Sequence, residues 1–94
     1  MTYAKRTDAN QREIFAALRQ MGYSVVDTSR VGNGFGDGVA GKWGDLWIIE
    51  VKSSEKAKYT RDQIEFRKNW KGKPPVRLNS LEEAIDWGRR VKSE

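Results

Sequence analysis

Three residues of this chain have types and spacing suited to phosphate chemistry: Asp37, Glu50 and Lys52. Glu50 and Lys52 stand two apart at the end of the apolar run Leu46-Trp47-Ile48-Ile49. On a strand they project from the same face. Asp37 follows the glycine-rich stretch from Thr28 to Gly36. A hairpin centred between Trp43 and Gly44 pairs residues whose numbers sum to 87, which sets Asp37 opposite Glu50. Directly opposed residues have Cβ atoms roughly 5 Å apart. Two carboxylates that close repel unless a cation or a proton lies between them. Asp37 and Glu50 are therefore candidate ligands of a hard cation, with the Val51 carbonyl as a third. Such an ion polarises a phosphate and makes water more acidic. Lys52 could orient or help deprotonate that water, or stabilise developing charge. Phosphodiester hydrolysis needs these functions. The other reading is a solvated charged strand end. The apolar run leading into Glu50 argues against that, because idle charge is costly near buried surface.

Composition narrows the chemistry. The 94 residues include no cysteine and no histidine. That excludes disulfides, thiolate metal sites, histidine-ligated zinc and a Ser-His-Asp triad. Oxygen ligands remain, which favour Mg²⁺ or Mn²⁺. Hydrophobic residues at 37% and charged residues at 33% fit one globular domain over 1–94. No apolar run is long enough for a membrane span, and the N-terminus lacks a signal-peptide core. The net charge of +5 points to an anionic partner such as nucleic acid, or to a merely solvated basic surface.

The elements that would position these residues follow from patterning. Met1 to Arg6 reads as a loose basic arm. A first helix is expected from Asp8 to Met21, with Asp8 as cap, Gln11 as its return partner and Ile14, Leu18 and Met21 inward. Strands are expected over Tyr23–Asp27, Asp37–Lys42 and Leu46–Lys52, the last central in its sheet. Thr60-Arg61-Asp62-Gln63 has the capping-box pattern and opens a helix that ends near Trp70. Val76–Leu78 is a short strand. Ser80-Leu81-Glu82-Glu83 opens a last helix with Leu81, Ala84, Ile85 and Val91 inward. The order αβββαβα makes an α/β sandwich.

The motif set Gly36-Asp37, Ile49-Glu50-Val51-Lys52 and Thr60-Arg61-Asp62-Gln63 resembles the PD-(D/E)xK nuclease superfamily. It is most similar to the VRR-NUC branch of small phage proteins and repair-enzyme domains, over nearly the whole chain. The resemblance implies a restriction-endonuclease-like three-layer fold, with a mixed sheet between helices. It implies DNA cleavage with Mg²⁺ or Mn²⁺, Asp37 and Glu50 as ligands and Lys52 as catalytic lysine. Gln63 matches a glutamine that lines the site, and also fits as the capping partner of Thr60. Glu13 matches a first-helix glutamate that completes the metal shell, and also fits as a solvated residue. One departure stands out: the family usually has Pro where this chain has Gly36. Asp45 is a rival for the upstream acid. Hairpin geometry places it at the turn, roughly 16 Å along the strand from Glu50.

Candidate phosphate contacts are Lys56, Lys58 and Arg61 after the Lys52 strand, then Arg30, Lys42, Lys5, Arg6 and Arg12. Trp43 and Tyr59 are candidates for base stacking, with a core role as the alternative and a dimer contact as another for Trp43. The resemblance implies a homodimer in a bacterial or phage-infected cytoplasm. Two symmetry-related sites suit branched DNA such as a four-way (Holliday) junction. No organic cofactor is expected. The alternatives are a non-catalytic nucleic-acid-binding module and a nuclease subunit that needs a partner.

Overall fold

Apolar residues at helical and strand periods build two sides of one core. In the computed structural model, which describes residues 6–92, the first helix, α1, spans Arg6–Gln20. Ile14, Phe15 and Leu18 are its buried stripe. Strands β1 (Ser24–Asp27), β2 (Gly38–Lys42), β3 (Asp45–Val51) and β4 (Val76–Leu78) form one sheet in the order β1-β2-β3-β4. β2 pairs antiparallel with both β1 and β3, whereas β4 joins β3 in parallel. Helix α2 (Arg61–Asn69) precedes β4, and α3 (Leu81–Arg90) follows it. The architecture is the mixed-sheet α/β arrangement expected.

The two faces of the sheet are covered differently. Trp47, Ile49 and Val51 alternate along β3 onto the face packed by α1 and α3. Ile14, Leu18, Ala40, Leu78 and Ala84 complete that core. α3 approaches α1 closely at Gly88, where an added Cβ would lie 2.5 Å from the Met21 methyl. Glu50 and Lys52 point to the other face, toward α2. That helix buries no residue of its own. It is pinned by side-chain bonds to β3 and by the aromatic group Phe35, Phe66 and Trp70, with centroids 5.0–6.5 Å apart.

Several local expectations need correction. α1 begins at Arg6, so Asp8 lies within the helix rather than at its cap. Gln11 donates instead to Asp27 Oδ2 at 3.1 Å. The Ser80 hydroxyl accepts from Glu83 N, but the Glu83 carboxylate turns to Asn79, so only half of a capping box forms. Leu81, expected inward, stays 36% exposed at the first position of α3. The Met1 to Lys5 part of the expected N-terminal arm lies outside the described residues.

Gly38 begins β2 beside the site, where an added Cβ would lie 2.5 Å from Phe15 Cζ and 2.9 Å from the Val26 carbonyl oxygen. Phe15 is buried and the carbonyl is fixed in the sheet, so neither moves freely. Gly38→Ala is expected to destabilise the fold by roughly 1–3 kcal/mol. Urea unfolding would show this as a lower midpoint, and an unchanged midpoint would refute the tight packing of α1 on β2.

Candidate active site

The hairpin register decides which side chains meet. β2 and β3 pair Gly38 with Ile49 and Lys42 with Asp45, the register expected from the sequence. One step beyond the ladder, Asp37 N donates to the Ile49 carbonyl at 2.9 Å, and the Asp37 carbonyl accepts from Thr28 N at 2.9 Å. Asp37 is thus fixed from both sides, level with Glu50. Its Oδ2 accepts the Val51 N–H at 2.7 Å. Strand alternation turns the Val51 carbonyl to the same edge as its N–H, toward Asp37.

Gly36 holds this approach in a way proline could not. Its φ is +122°, whereas a proline ring fixes φ near −65°. An added Cβ would lie 2.7 Å from Ile48 Cγ2. The Thr28 hydroxyl donates to the Gly36 carbonyl at 3.2 Å. Hydrogen bonding and close packing restrain this segment, where the resembled nucleases have proline.

Glu50 has no solvent exposure. Its Oε2 accepts from Arg67 Nε at 3.0 Å and Nη2 at 2.6 Å. Its Oε1 is buried with no partner. A buried carboxylate oxygen without a donor is costly and calls for a partner such as an ion or a water. Asp37 Oδ1, Glu50 Oε1 and the Val51 carbonyl are oxygen donors of the kind Mg²⁺ or Mn²⁺ takes, and they are the atoms that could hold such an ion.

Lys52 lies just past β3. Its backbone N–H donates to the Leu78 carbonyl, and its carbonyl accepts from Asn10 Nδ2 at 2.8 Å. Its ammonium donates to Gln63 Oε1 at 2.6 Å. The same oxygen accepts from Thr60 N at 2.9 Å, while Thr60 Oγ1 accepts from Gln63 N. Gln63 therefore closes the cap of α2, and the same side chain also holds the Lys52 ammonium. A cleft of about 170 Å³ opens here, lined by Gly34, Gly36, Asp37, Thr60 and Gln63 among others.

Other candidates fall elsewhere. Glu13 is exposed and lines a separate hollow with Asn10, Ser53 and Asn79, because α1 turns Ile14 and Phe15 inward instead. Among the described residues no three acidic side chains gather as a metal-binding group. Lys42 is at the opposite end of the hairpin, where its ammonium donates to the Met21 carbonyl at 2.6 Å and lies 4.6 Å from the Tyr23 and Trp43 ring centroids. Trp43 is 48% exposed at that same far turn. Asp45 pairs with Lys73 at 2.8 Å, also away from Glu50. Lys56, Lys58, Arg61, Arg30 and Arg12 are exposed. Lys5 and the Arg6 side chain lie outside what is described.

Sequence reasoning missed two arginines. Arg67 binds Glu50, and Arg77 donates to the carbonyls of Ser54, Glu55 and Ala57, gathering the loop after Lys52. Their guanidinium carbons lie 4.4 and 4.9 Å from the Tyr59 ring centroid, so cations flank a ring considered for base stacking. The signal for Arg67 was its spacing of four from Gln63, which puts both on one face of α2.

No family profile and no curated protein sequence matches this chain. A solved structure described as a VRR_NUC domain is similar over 95% of this chain and 100% of its own, with a TM-score of 0.79 at 19% identity. The chain has the VRR_NUC fold, in agreement with the resemblance carried by its motifs.

Burial pushes the Asp37 carboxyl above the ordinary Asp value; the Val51 N–H opposes this, and Glu50 pushes it higher. A carboxyl whose pKa is raised by folding adds stability below its unfolded pKa, and that contribution is lost as pH rises through the folded value. Metal-free protein at neutral pH therefore carries a cost at Asp37. Asp37→Asn, which keeps an acceptor for Val51 N–H, is expected to raise the thermal midpoint in EDTA at pH 7. The gap should close as pH falls toward about 4. A midpoint at pH 7 no higher than wild type would contradict this.

Proposed function

We propose that this chain, built on the VRR_NUC fold, is a metal-dependent DNA endonuclease that acts as a homodimer on branched DNA such as a four-way junction. The observation that carries the reading is the carboxylate pair itself. Asp37, just before β2, is held level with Glu50 on β3; Glu50 Oε1 has no donor, Asp37 Oδ1 takes none among the described residues, and Lys52 is fixed beside them. A fold maintained only for stability gains little from a buried charge, since apolar residues of similar volume often serve as well or better.

Asp37 Oδ1, Glu50 Oε1 and the Val51 carbonyl would hold Mg²⁺ or Mn²⁺. When bound, the ion supplies charge neutralisation at the scissile phosphate and makes water more acidic. The remaining work belongs to the chain. Gln63 Oε1 accepts one Lys52 proton and so aims the ammonium; the other two N–H groups remain as donors. They orient the attacking water and stabilise charge developing on the phosphate oxygens as water adds and the P–O ester bond breaks. The segment from Gly34 to Asp37 and the start of α2 form the walls that admit the strand.

Lys56, Lys58, Arg61 and Arg30 would contact backbone phosphates on either side of the cleft. Arg61 begins α2 beside Thr60 and Asp62, which line it, and Arg30 follows Ser29, which also lines it. The dimer and the branched substrate rest on the family resemblance. A two-fold axis would present two such sites to two strands of a junction. Among the described residues, no helix is long and apolar enough to cross a membrane.

The test is cleavage of labelled single-stranded, duplex, flap and four-way-junction DNA with Mg²⁺ or Mn²⁺. Wild type is expected to cut the junction preferentially, and Lys52→Ala to lower the rate by roughly 100-fold or more. Asp37→Ala is expected to abolish cutting. Failure to cut any substrate, with DNA binding intact and unchanged in both variants, would favour a binding module instead. Sedimentation at micromolar concentration should show a dimer, and a monomer would remove the two-site argument.

Thermal unfolding supplies a separate check on the ion. Mn²⁺ is expected to raise the wild-type midpoint and to leave that of Asp37→Asn unmoved. An equal shift in both would place the ion elsewhere.

A further inference from the structure

Each carboxylate of the pair already spends one oxygen on the protein. Asp37 Oδ2 accepts the Val51 N–H at 2.7 Å. Glu50 Oε2 accepts two N–H groups of one guanidinium, from Arg67 Nε at 3.0 Å and Nη2 at 2.6 Å. Such charge-assisted bonds are about twice as strong as neutral ones. Arg67 is itself held, its guanidinium carbon 4.4 Å from the Tyr59 ring centroid and its side chain only 24% exposed. Gln63, one turn earlier on α2, binds Lys52. The i, i+4 pair on the helix therefore grips the i, i+2 pair on the strand. Glu50 Oε1 remains buried and unpartnered.

We propose that Arg67 is a positioning residue that keeps Glu50 Oε2 while a cation binds, leaves only Oε1 for the ion, and so limits the centre to one divalent cation per chain. This inference rests on the metal reading above and adds the number of ions and the residue that sets it. A second ion would need further anionic ligands. Glu13 is exposed in a different hollow, and among the described residues no third acid joins the pair. Arg67 need not leave to admit the ion, because Oε1 is already free. Its positive charge also opposes cation binding, so the site accepts weaker affinity in return for a fixed carboxylate.

The first measurement uses the unmodified chain. The Arg67 Nε–H resonance is followed by ¹H–¹⁵N NMR during titration with Mg²⁺. A signal that persists, shifted but protected from exchange, is expected. Its loss to solvent exchange on saturation would show that the ion displaces Arg67, and would overturn the proposal.

The second measurement is Mn²⁺ binding followed by electron paramagnetic resonance, with Arg67→Met and Arg67→Lys beside wild type. One ion per wild-type chain is expected. Arg67→Met should bind Mn²⁺ about tenfold more tightly, because a nearby positive charge is gone, yet cleave more slowly because Glu50 is no longer aimed. Arg67→Lys should return the affinity to near wild type. Damage to the fold alone would weaken binding, so tighter binding with slower cleavage separates positioning from structural support. Two ions per wild-type chain, or unchanged or weaker binding in a folded Arg67→Met variant, would overturn the proposal. If Arg67→Met fails to fold, the NMR result and the wild-type stoichiometry decide it. No binding of either ion by wild type would instead remove the metal reading, and this inference with it.

Discussion

A carboxylate with no solvent exposure lies on an inner strand of this sheet, and much of the surrounding structure answers to it. Burying an ionised group without a partner is too costly for a marginally stable domain. Glu50 is therefore tied to Arg67, but on one oxygen only. That pairing fixes more than a side chain. Arg67 comes from α2, a helix with no buried residue of its own, so the position of α2 over the sheet depends on polar contacts with β3. The ion pair, the Lys52–Gln63 hydrogen bond and the Phe35–Phe66–Trp70 group together hold a helix that hydrophobic burial alone would not.

The two layers are consequently unlike in their physics. On the α1 and α3 side, Ile14, Leu18, Ile49 and Ala84 are fully buried in a mainly apolar core. On the α2 side the contacts are charged, amide and aromatic. Regions with few buried apolar contacts open at lower free energy than the core. Asp37, Glu50 and Lys52 therefore stand between a sheet that sets their spacing and a helix held mainly by polar and aromatic contacts. On the function proposed above, that division would let the three side chains keep their register while a wall of the cleft gives way to a large substrate.

The parts of the fold that could be read from sequence are those governed by short-range rules. The hairpin centre at Trp43-Gly44 gave the correct register, and with it the level placement of Asp37 and Glu50. The Thr60 capping box formed in full, with Thr60 and Gln63 each accepting the other's backbone N–H, whereas Asn79 draws Glu83 away from the equivalent box at Ser80. Asp45 was set aside on distance along the strand, and the structure pairs it with Lys73. What could not be read depends on how distant segments meet. Nothing local says that Arg67 reaches Glu50, 17 positions away, or that Asn10 of α1 caps the Lys52 carbonyl. Glu13 follows the same logic in reverse. The resemblance put it in the metal shell, but the packing of Phe15 against Gly38 sets the rotation of α1 and leaves Glu13 exposed.

Lys42 shows how a residue far from the carboxylate pair can still bear on its placement. The turn at Trp43 and Gly44 has both residues at positive φ, 56° and 80°. That is the type I′ geometry suited to a two-residue hairpin, normally built from Asn-Gly. Trp is a poor choice there, since a left-handed backbone costs an L-residue about 1–2 kcal/mol. The offset comes from the neighbourhood. The Lys42 ammonium lies 4.6 Å from the centroids of both the Trp43 and Tyr23 rings and donates to the Met21 carbonyl. The Tyr23 and Trp43 rings meet edge to face at 6.3 Å. The Tyr23 hydroxyl in turn donates to the Gly88 carbonyl of α3. These contacts secure a turn that the backbone alone would disfavour. The consequence is felt at the other end of the hairpin. A slip of one residue in pairing would send Glu50 and Lys52 to the opposite face of β3, into the apolar layer. The lysine read from sequence as a candidate phosphate contact therefore helps, from the far end of the hairpin, to hold the register on which the Asp37–Glu50 pair depends.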